Sequence, residues 1–448
     1  MNSSNRELYR ALRNHIKLNW RKNPTDKSRG KTRRRLAVAS VAAGSAAALG
    51  SALAFNNGQR VIDEESSKKS PLGAIYKFQE DQEIDELPLV YDVAKIESYW
   101  GKRTFEVVRR TGEIISVLGP YFYKLLIWEY LIRKKIRDHE GLQKKYAIKL
   151  RQLLTDLGPC FIKFGQAISI RPDLLPSAFL FELQKLCDSV PSFPTSDAIS
   201  VIEAELGTGT VQNLFEGFDS STPPIAAASL GQVYKLKLKP NARNIEKVSD
   251  QSWCRCKKYC QVEDDALVAV KVQRPDMLWF VLRDLYIMRK FAKGMEKLRT
   301  TFTYNRPYDV QLLDTFASAS LKELDYINEA ANQEEFRREF MHRMGSKVYI
   351  PAVHDQWTTR KVLVTEWIEG EQLAKSNSDV INTLTPVGVE CFLAQLLDTG
   401  RFHADPHPGN LLVTKTGRLA LIDFGLCAEV PLPDTKNMTL AIVHLMQG

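Results

Sequence analysis

The chain has 448 residues, long enough for two or three domains, and 44% of them are hydrophobic and 26% charged. That composition excludes a disordered or collagen-like chain. The net charge of +9 is concentrated at one end: residues 1–35 hold twelve Lys/Arg against two Asp/Glu, and the rest is close to neutral, so the charge gives no sign of nucleic-acid binding by the folded body, and none is expected.

In chain order, "RELYRALRNHIKLNWRK" places Arg6, Arg10, Arg13 and Lys17 at helical spacing and Leu8, Leu12 and Ile16 on another face. An Arg-rich, acid-poor amphipathic start predicts an organelle-targeting segment over 1–35, for a mitochondrion ahead of a plastid. A solvated basic helix or tail is the plainer alternative. "LAVASVAAGSAAALGSALAF", residues 36–55, carries no charge over twenty residues, the length of one bilayer crossing. Small residues four apart, Ser40/Gly44 and Ala46/Gly50, suit close helix contact in lipid. A single transmembrane helix that anchors the chain and could pair two copies is expected there, against a buried soluble helix or part of a presequence. Residues 56–90 are polar and read as a linker.

From 91 to 222 the pattern is helical, with apolar residues three and four apart in "YFYKLLIWEYLIRKK" and "YAIKLRQLLTDLG". "AAASLGQVYKLKL" then gives a small-residue turn followed by a strand with Val233, Tyr234, Leu236 and Leu238. Loops that cradle phosphates are normally glycine-rich; here Ala226, Ala227, Ala228 and Ser229 come first and only Gly231 follows. A basic insertion over 239–265 contains Cys254, Cys256 and Cys260 without a nearby histidine, and reads as loop thiols. The other cysteines are scattered in apolar surroundings and argue for reduced thiols.

"LVAVKVQ" is a second strand and sets Lys271 among apolar neighbours, costly to bury unless paired with phosphate and a carboxylate. Glu329, on a later helix, is its natural partner by analogy with kinases. "KVLVTEWIEG" is a third strand and a hinge: Glu366 and Ile368 lie where backbone would meet an adenine, with Thr365 guarding the back pocket. "CFLAQLLDTG" predicts a helix ending on Gly400. Asp405 in "HADPHPGN" precedes Asn410 by five residues, and Asp423 in "IDFG" follows it by thirteen. That order recurs in phosphotransferases of the protein-kinase class. Asn410 and Asp423 offer the hard oxygens that hold Mg²⁺, and Asp405 can accept a proton from the acceptor hydroxyl or orient it.

"LGPCFIKFGQAISIRPDLLP", residues 157–176, carries Lys163, Gly165 and Gln166. With the alanine loop, the "ELD" of Glu323 to Asp325 and "HADPHPGN", it strongly resembles the UbiB family of atypical kinases (aarF-domain kinases) over roughly residues 140–430. The resemblance implies an α+β, protein-kinase-like bilobal fold: a helical KxGQ extension over 91–222 and a kinase-like ATP-binding domain over 223–448. Because the family's large lobe continues well past the Asp423 position, that lobe is expected to be incomplete here. ATP or ADP with Mg²⁺ is implied, held by Ala226, Ala227, Ala228, Ser229, Gly231, Lys271, Glu329, Glu366 and Ile368. Lys271 and Asp405 take the catalytic positions, and Asn410 and Asp423 the metal positions. The alanine loop is associated in the family with nucleotide selectivity and suppressed protein phosphorylation. Its KxGQ helix, here with Lys163 and Gln166, folds over the cleft, and its lysine meets the acids, here Glu323 and Asp325. The implied function is a membrane-associated ATPase or small-molecule kinase supporting isoprenoid-quinone (ubiquinone) biosynthesis at the mitochondrial inner membrane. A plastid relative would serve plastoquinone and tocopherol metabolism instead. Implied partners are a quinone precursor or membrane lipid, quinone-biosynthesis enzymes and a second copy of the chain. The alternatives are a protein Ser/Thr kinase, against which the KxGQ helix argues, and a nucleotide-sensing scaffold with little turnover.

Overall fold

The computed structural model describes residues 87–133, 140–187, 191–240, 266–302, 309–404 and 408–431, with scattered positions up to 440. The expected targeting segment, the transmembrane helix, most of the linker, nearly all of the cysteine-bearing insertion and Asp405 lie outside them. The chain forms two compact units. The N-terminal unit is built from the described parts of Lys31–Leu236 and Val270–Leu324, and the C-terminal unit from those of Lys237–Ala269 and Asp325–Gly448.

The N-terminal unit opens with α1 (Val93–Lys102), whose start is capped by Asp92: its carboxylate accepts from the Ala94 and Lys95 N–H groups at 2.9 and 3.1 Å. These are two of the donors a helix start leaves without partners. α2 (Thr104–Arg133), α3 (Glu140–Leu157), α4 (Pro159–Ser169) and α5 (Ser177–Gln184) follow. Leu150, Leu153, Leu154 and Leu157, three and four apart on α3, pack with Phe161 and Ile162 of α4 and with Phe179, Leu183 and Leu186. This is the helical region that the periodicity predicts. α6 (Thr195–Leu206) and α7 (Thr210–Leu214) lead into β1 (Phe215–Glu216), β2 (Ala226–Ala227), β3 (Gly231–Leu238) and β4 (Leu267–Gln273). β1, β3 and β4 lie side by side in that order, and β2 pairs with β3. β3 alternates as expected, with Tyr234, Leu236 and Leu238 buried and Lys235 exposed.

α8 (Met277–Phe302) and α9 (Asp309–Glu323) complete this unit. Met277, Val281, Leu282 and Leu285 of α8 pack with Ile96 and Trp100 of α1 and Ala317 and Leu321 of α9. Within the same unit, Arg110 of α2 meets Asp284 of α8 through a buried, two-pronged ion pair at 3.0 and 2.8 Å.

Besides the ends of β3 and β4 at 237–238 and 267–269, the C-terminal unit holds α10 (Tyr326–Met344), capped by Asp325, which accepts from the Ile327 N–H at 3.1 Å. β5 (Val348–Tyr349), β6 (Val362–Glu366), β7 (Gly370–Gln372), α11 (Ser378–Ala394), β8 (Arg401–His403), β9 (Leu411–Thr414), β10 (Leu419–Leu421) and β11 (Cys427–Glu429) follow. One sheet has the order β5–β10–β9–β7, with β5 parallel to β10 and the other pairs antiparallel. β8 and β11 form a separate antiparallel pair. The core joins Phe336 and Phe340 of α10, Leu384 and Cys391 of α11, Leu419 and Leu421 of β10, and Phe424. α11 runs on through one π-turn, Gln395–Thr399, and stops at Gly400. Gly400 has φ +70°, and a Cβ there would lie 2.6 Å from the Val430 carbonyl oxygen, so conformation and space both demand glycine.

Among the described residues, Ser378–Thr399 is the one helix long and apolar enough to cross a membrane, with mean hydropathy 1.4. Its Leu384, Gly388, Cys391 and Ala394 are buried, and spacing by three and four is the mark of a core-facing helix.

His354, between β5 and β6, is 6% exposed and lies 5.8 Å from the Trp357 ring. Its Nδ1 has no hydrogen-bond partner among the described residues, and burial pushes the imidazole down to about 4. The folded state therefore prefers the neutral ring. Below pH 6.5 the unfolded chain takes up a proton that the folded chain refuses, so stability is complete above 6.5 and falls as pH drops towards 4. The loss approaches about 3 kcal/mol, at roughly 1.4 kcal/mol per pH unit. Urea unfolding at pH 7 and pH 4.5 tests this: His354→Asn should flatten the dependence, and an unchanged slope would clear His354 of the effect.

Candidate active site

Ala226 and Ala227 pair antiparallel with Val233 and Gln232. The Ile225 N–H donates to the Val233 carbonyl, and the Ala228 N–H to the Gly231 carbonyl, each at 2.8 Å. The alanine loop is thus the tip of a β-hairpin. Its described residues are absent from the positive-φ set, in which the non-glycine members are Asp276 and Asp423. Alanine is tolerated because the tip never enters the left-handed region in which glycine excels. Ala226 and Ala228 are exposed and Ser229 is buried. Lys271 is half-buried on the face of β4 opposite Val268, Val270 and Val272.

The three KxGQ residues do different work. Lys163 of α4 forms an ion pair with Glu323, the last residue of α9. Gln166 donates from Nε2 to the Leu186 carbonyl at 2.9 Å, fastening α4 to the turn after α5. At Gly165 a Cβ would come within 2.5 Å of Leu186 Cδ1 and 2.9 Å of Leu154 Cδ1, so glycine lets the helices close. Of the two acids expected for the lysine, Glu323 is the observed partner, whereas Asp325 caps α10 in the C-terminal unit.

In the C-terminal unit the β9–β10 hairpin pairs Leu411 with Leu421, and the Ile422 N–H donates to the Asn410 carbonyl at 3.0 Å. Asn410 therefore adjoins the segment that carries Asp423. Asp423 has φ +64°, a left-handed conformation that costs a non-glycine residue about 1 kcal/mol or more. The next residue anchors it: Phe424 is fully buried against Phe336 and His403, each at 5.3 Å, and Asn332 of α10 donates to the Phe424 carbonyl at 3.1 Å. Glu329, one turn earlier on α10, is 2% exposed. A Cβ on Gly425 would sit 3.3 Å from Asp423 Oδ1 and 3.4 Å from Glu329 Oε2, so two carboxylates converge on that glycine. Burial and these two acids push the Cys427 thiol up to about 12. Hard oxygens gathered in this way fit a divalent cation such as Mg²⁺, which relieves their mutual repulsion.

At the hinge, the Glu366 carboxylate accepts from the Tyr349 hydroxyl at 2.6 and 2.7 Å and from the Ala352 N–H at 3.2 Å. Burial and that carboxylate push the Tyr349 phenol up to about 12. Glu366 is therefore engaged through its side chain, and its N–H donates to the Ala352 carbonyl at 2.9 Å. The Trp367 N–H donates to the Leu267 carbonyl at 3.1 Å, and Ile368 is half-buried.

Sequence reasoning missed Asn332, Tyr349 and the backbone of Asp423. Asn332 had a signal, since it lies three residues beyond Glu329 and so on the same helix face. The left-handed Asp423 and the Tyr349 contact had none. Lys271 and Glu329 fall in different units, so their pairing is part of the proposed function.

A family model described as the ABC1 atypical kinase-like domain matches residues 185–251 and 259–448. The chain is 39% identical over 363 residues to an uncharacterized protein of Synechocystis, covering 78% of this chain and 47% of that one. It is 37% identical over 366 residues to the Arabidopsis thaliana protein ACTIVITY OF BC1 COMPLEX KINASE 3, chloroplastic, covering 80% and 46%. An uncharacterized aarF domain-containing protein kinase of the same plant, also chloroplastic, is 35% identical over 396 residues, covering 88% and 51%. The chain spans about half the length of these curated relatives.

Proposed function

The chain belongs to the ABC1 atypical kinase-like (UbiB, aarF-domain) family, and on that premise we propose that it is a membrane-associated, magnesium-dependent ATPase or small-molecule kinase serving isoprenoid-quinone metabolism in a plastid. The mitochondrion and ubiquinone come first from the sequence; the chloroplastic names of the relatives favour the plastid, and with it plastoquinone and tocopherol chemistry. Membrane association rests on residues 36–55.

The observation that carries the reading is the strained Asp423 with Glu329 beside it around Gly425. Strain of this kind persists where the surroundings enforce it, and it clusters at functional sites. Asn410 and Asp423 hold the metal, and Lys271, supported by Glu329, holds nucleotide phosphates together with the alanine hairpin. Backbone at Glu366 and Ile368 meets the base. Bound Mg²⁺ neutralises charge spreading over the phosphate oxygens. Asp405 orients the acceptor hydroxyl or water and takes its proton.

Asp405→Asn tests the reading. Hydrolysis should fall at least ~100-fold, the scale of a lost general base, while Mg²⁺–nucleotide affinity stays within twofold. Equal hydrolysis by both proteins removes Asp405 from that role. Binding without turnover in the unmodified chain would favour the scaffold reading instead.

A further inference from the structure

We propose that Arg274 is a positioning residue that clamps the alanine hairpin to the strap entering α6, with Gln232 as the second fastening. Its effect on affinity rests on the nucleotide reading above; the clamp itself does not.

Arg274 follows β4 and is 3% exposed. Its own N–H donates to the Leu230 carbonyl at 2.9 Å. Its guanidinium donates to the Ala228 carbonyl at 3.3 Å and to the Pro191 carbonyl, and lies 5.2 Å from the centre of the Phe193 ring. One guanidinium nitrogen, Nη2, thus joins carbonyls of the hairpin tip and of the strap. Gln232, fully buried one residue past Gly231, takes both backbone groups of Phe193: it accepts from the N–H at 3.1 Å and donates to the carbonyl at 3.2 Å. Gln232 also meets the Tyr234 hydroxyl, which reaches Thr195 Oγ1 at 3.2 Å; Thr195 in turn donates to the Thr222 carbonyl at 2.8 Å.

The physical need is plain. Residues 191–194 belong to no helix or strand, so buried backbone groups there must find side-chain partners. At the hairpin tip Leu230 is packed in the core of the unit, whereas the exposed Ala228 has no side chain with which to anchor itself. Arg274 and Gln232 supply both needs at once. The strap continues the chain from Leu186, where Gln166 of the KxGQ helix is fastened.

Hydrogen exchange on the full chain, without nucleotide, tests the clamp. Arg274→Gln and Arg274→Met should each raise exchange at the Ala228 and Phe193 amides at least tenfold, with Leu282 in α8 unchanged as the check on overall folding. Gln232→Leu, which keeps Arg274, should also raise Ala228 as well as Phe193. Unchanged Ala228 exchange in the Arg274 variants overturns the clamp, and a Gln232→Leu effect confined to Phe193 overturns the coupling. Titration with a fluorescent ADP analogue and Mg²⁺ should then show a dissociation constant about tenfold weaker in Arg274→Gln. Unchanged affinity with an opened hairpin overturns the positioning role. An unmodified chain that binds no nucleotide, while its variants still open the hairpin, overturns the function proposed above and leaves the clamp standing.

Discussion

Asp423→Asn is expected to abolish the Mg²⁺-dependent stabilisation of the chain by nucleotide while leaving the unliganded fold intact. Asparagine is the substitute that isolates the charge. It tolerates the left-handed region nearly as well as any non-glycine residue, so the φ of +64° can persist. Its amide oxygen can still accept from the Gly425 N–H, which reaches Asp423 Oδ1 at 3.3 Å. What is lost is the anionic oxygen that the proposed function assigns to the metal. At a hundredfold excess over the dissociation constant, Mg²⁺–ATP or Mg²⁺–ADP should stabilise the unmodified chain by about 2.7 kcal/mol. The variant should show little of that gain, and its melting temperature without ligand should match. A shift that needs Mg²⁺ and vanishes in the variant establishes the site. Equal shifts in both proteins would falsify the metal role of Asp423, and no shift in a well-folded unmodified chain would remove the nucleotide reading.

The second large effect concerns stability. Asp284 on α8 is the acid shared by Arg110 and Arg283, and all three are at most 5% exposed. Arg110 binds it with two prongs, donates to the Leu157 carbonyl at the end of α3 at 2.6 Å, and meets Glu113 at 3.3 Å. Arg283 reaches Asp284 at 3.2 Å. Burial works against both guanidiniums; it pushes Arg283 down, whereas at Arg110 the adjacent Asp284 outweighs it and the shift is upward. Asp284→Ala takes the shared acid from two buried cations and leaves Arg110 only the half-exposed Glu113, and removing one partner of a buried pair costs about 3–5 kcal/mol. Arg110→Met combined with Asp284→Leu should cost clearly less, because no charge of that pair is left behind and its place is taken by apolar volume. Guanidinium unfolding of the three proteins decides it: a loss below about 1 kcal/mol for Asp284→Ala would show that water relieves the arginines.

The proposed chemistry is legible in the sequence because phosphoryl transfer constrains residue type and order within short stretches. Asp405, Asn410 and Asp423 lie within nineteen residues of one another, and the hairpin geometry between the last two comes from local pairing. Lys163 and Glu323, by contrast, were linked through resemblance, since 160 residues separate them and no spacing rule reaches that far. The alanine loop was legible as a turn before a strand. That its tip stays at negative φ, and so gives glycine no advantage, was not, because propensity bears on which conformations are cheap and not on which one the surrounding strands require. Glu366 was expected to offer its backbone to the base. That its side chain turns to Tyr349, seventeen residues earlier, was not legible, because packing between β5 and β6 makes that choice.

By itself, the sequence determined the alternation of apolar residues, and with it the helices of 91–222, the strands around Lys271 and Thr365, and the helix that stops at Gly400. These are local matters, settled by a period of two or 3.6 and by the residues that can end an element. Tertiary structure alone decided what depends on surfaces meeting: why position 165 has no room for a methyl group, how Arg110 finds Asp284 across 174 residues, and how Arg274 comes to hold an alanine turn. Buried polar groups must be satisfied wherever the fold leaves them. Their partners are chosen by proximity in space, which no reading of neighbours along the chain supplies.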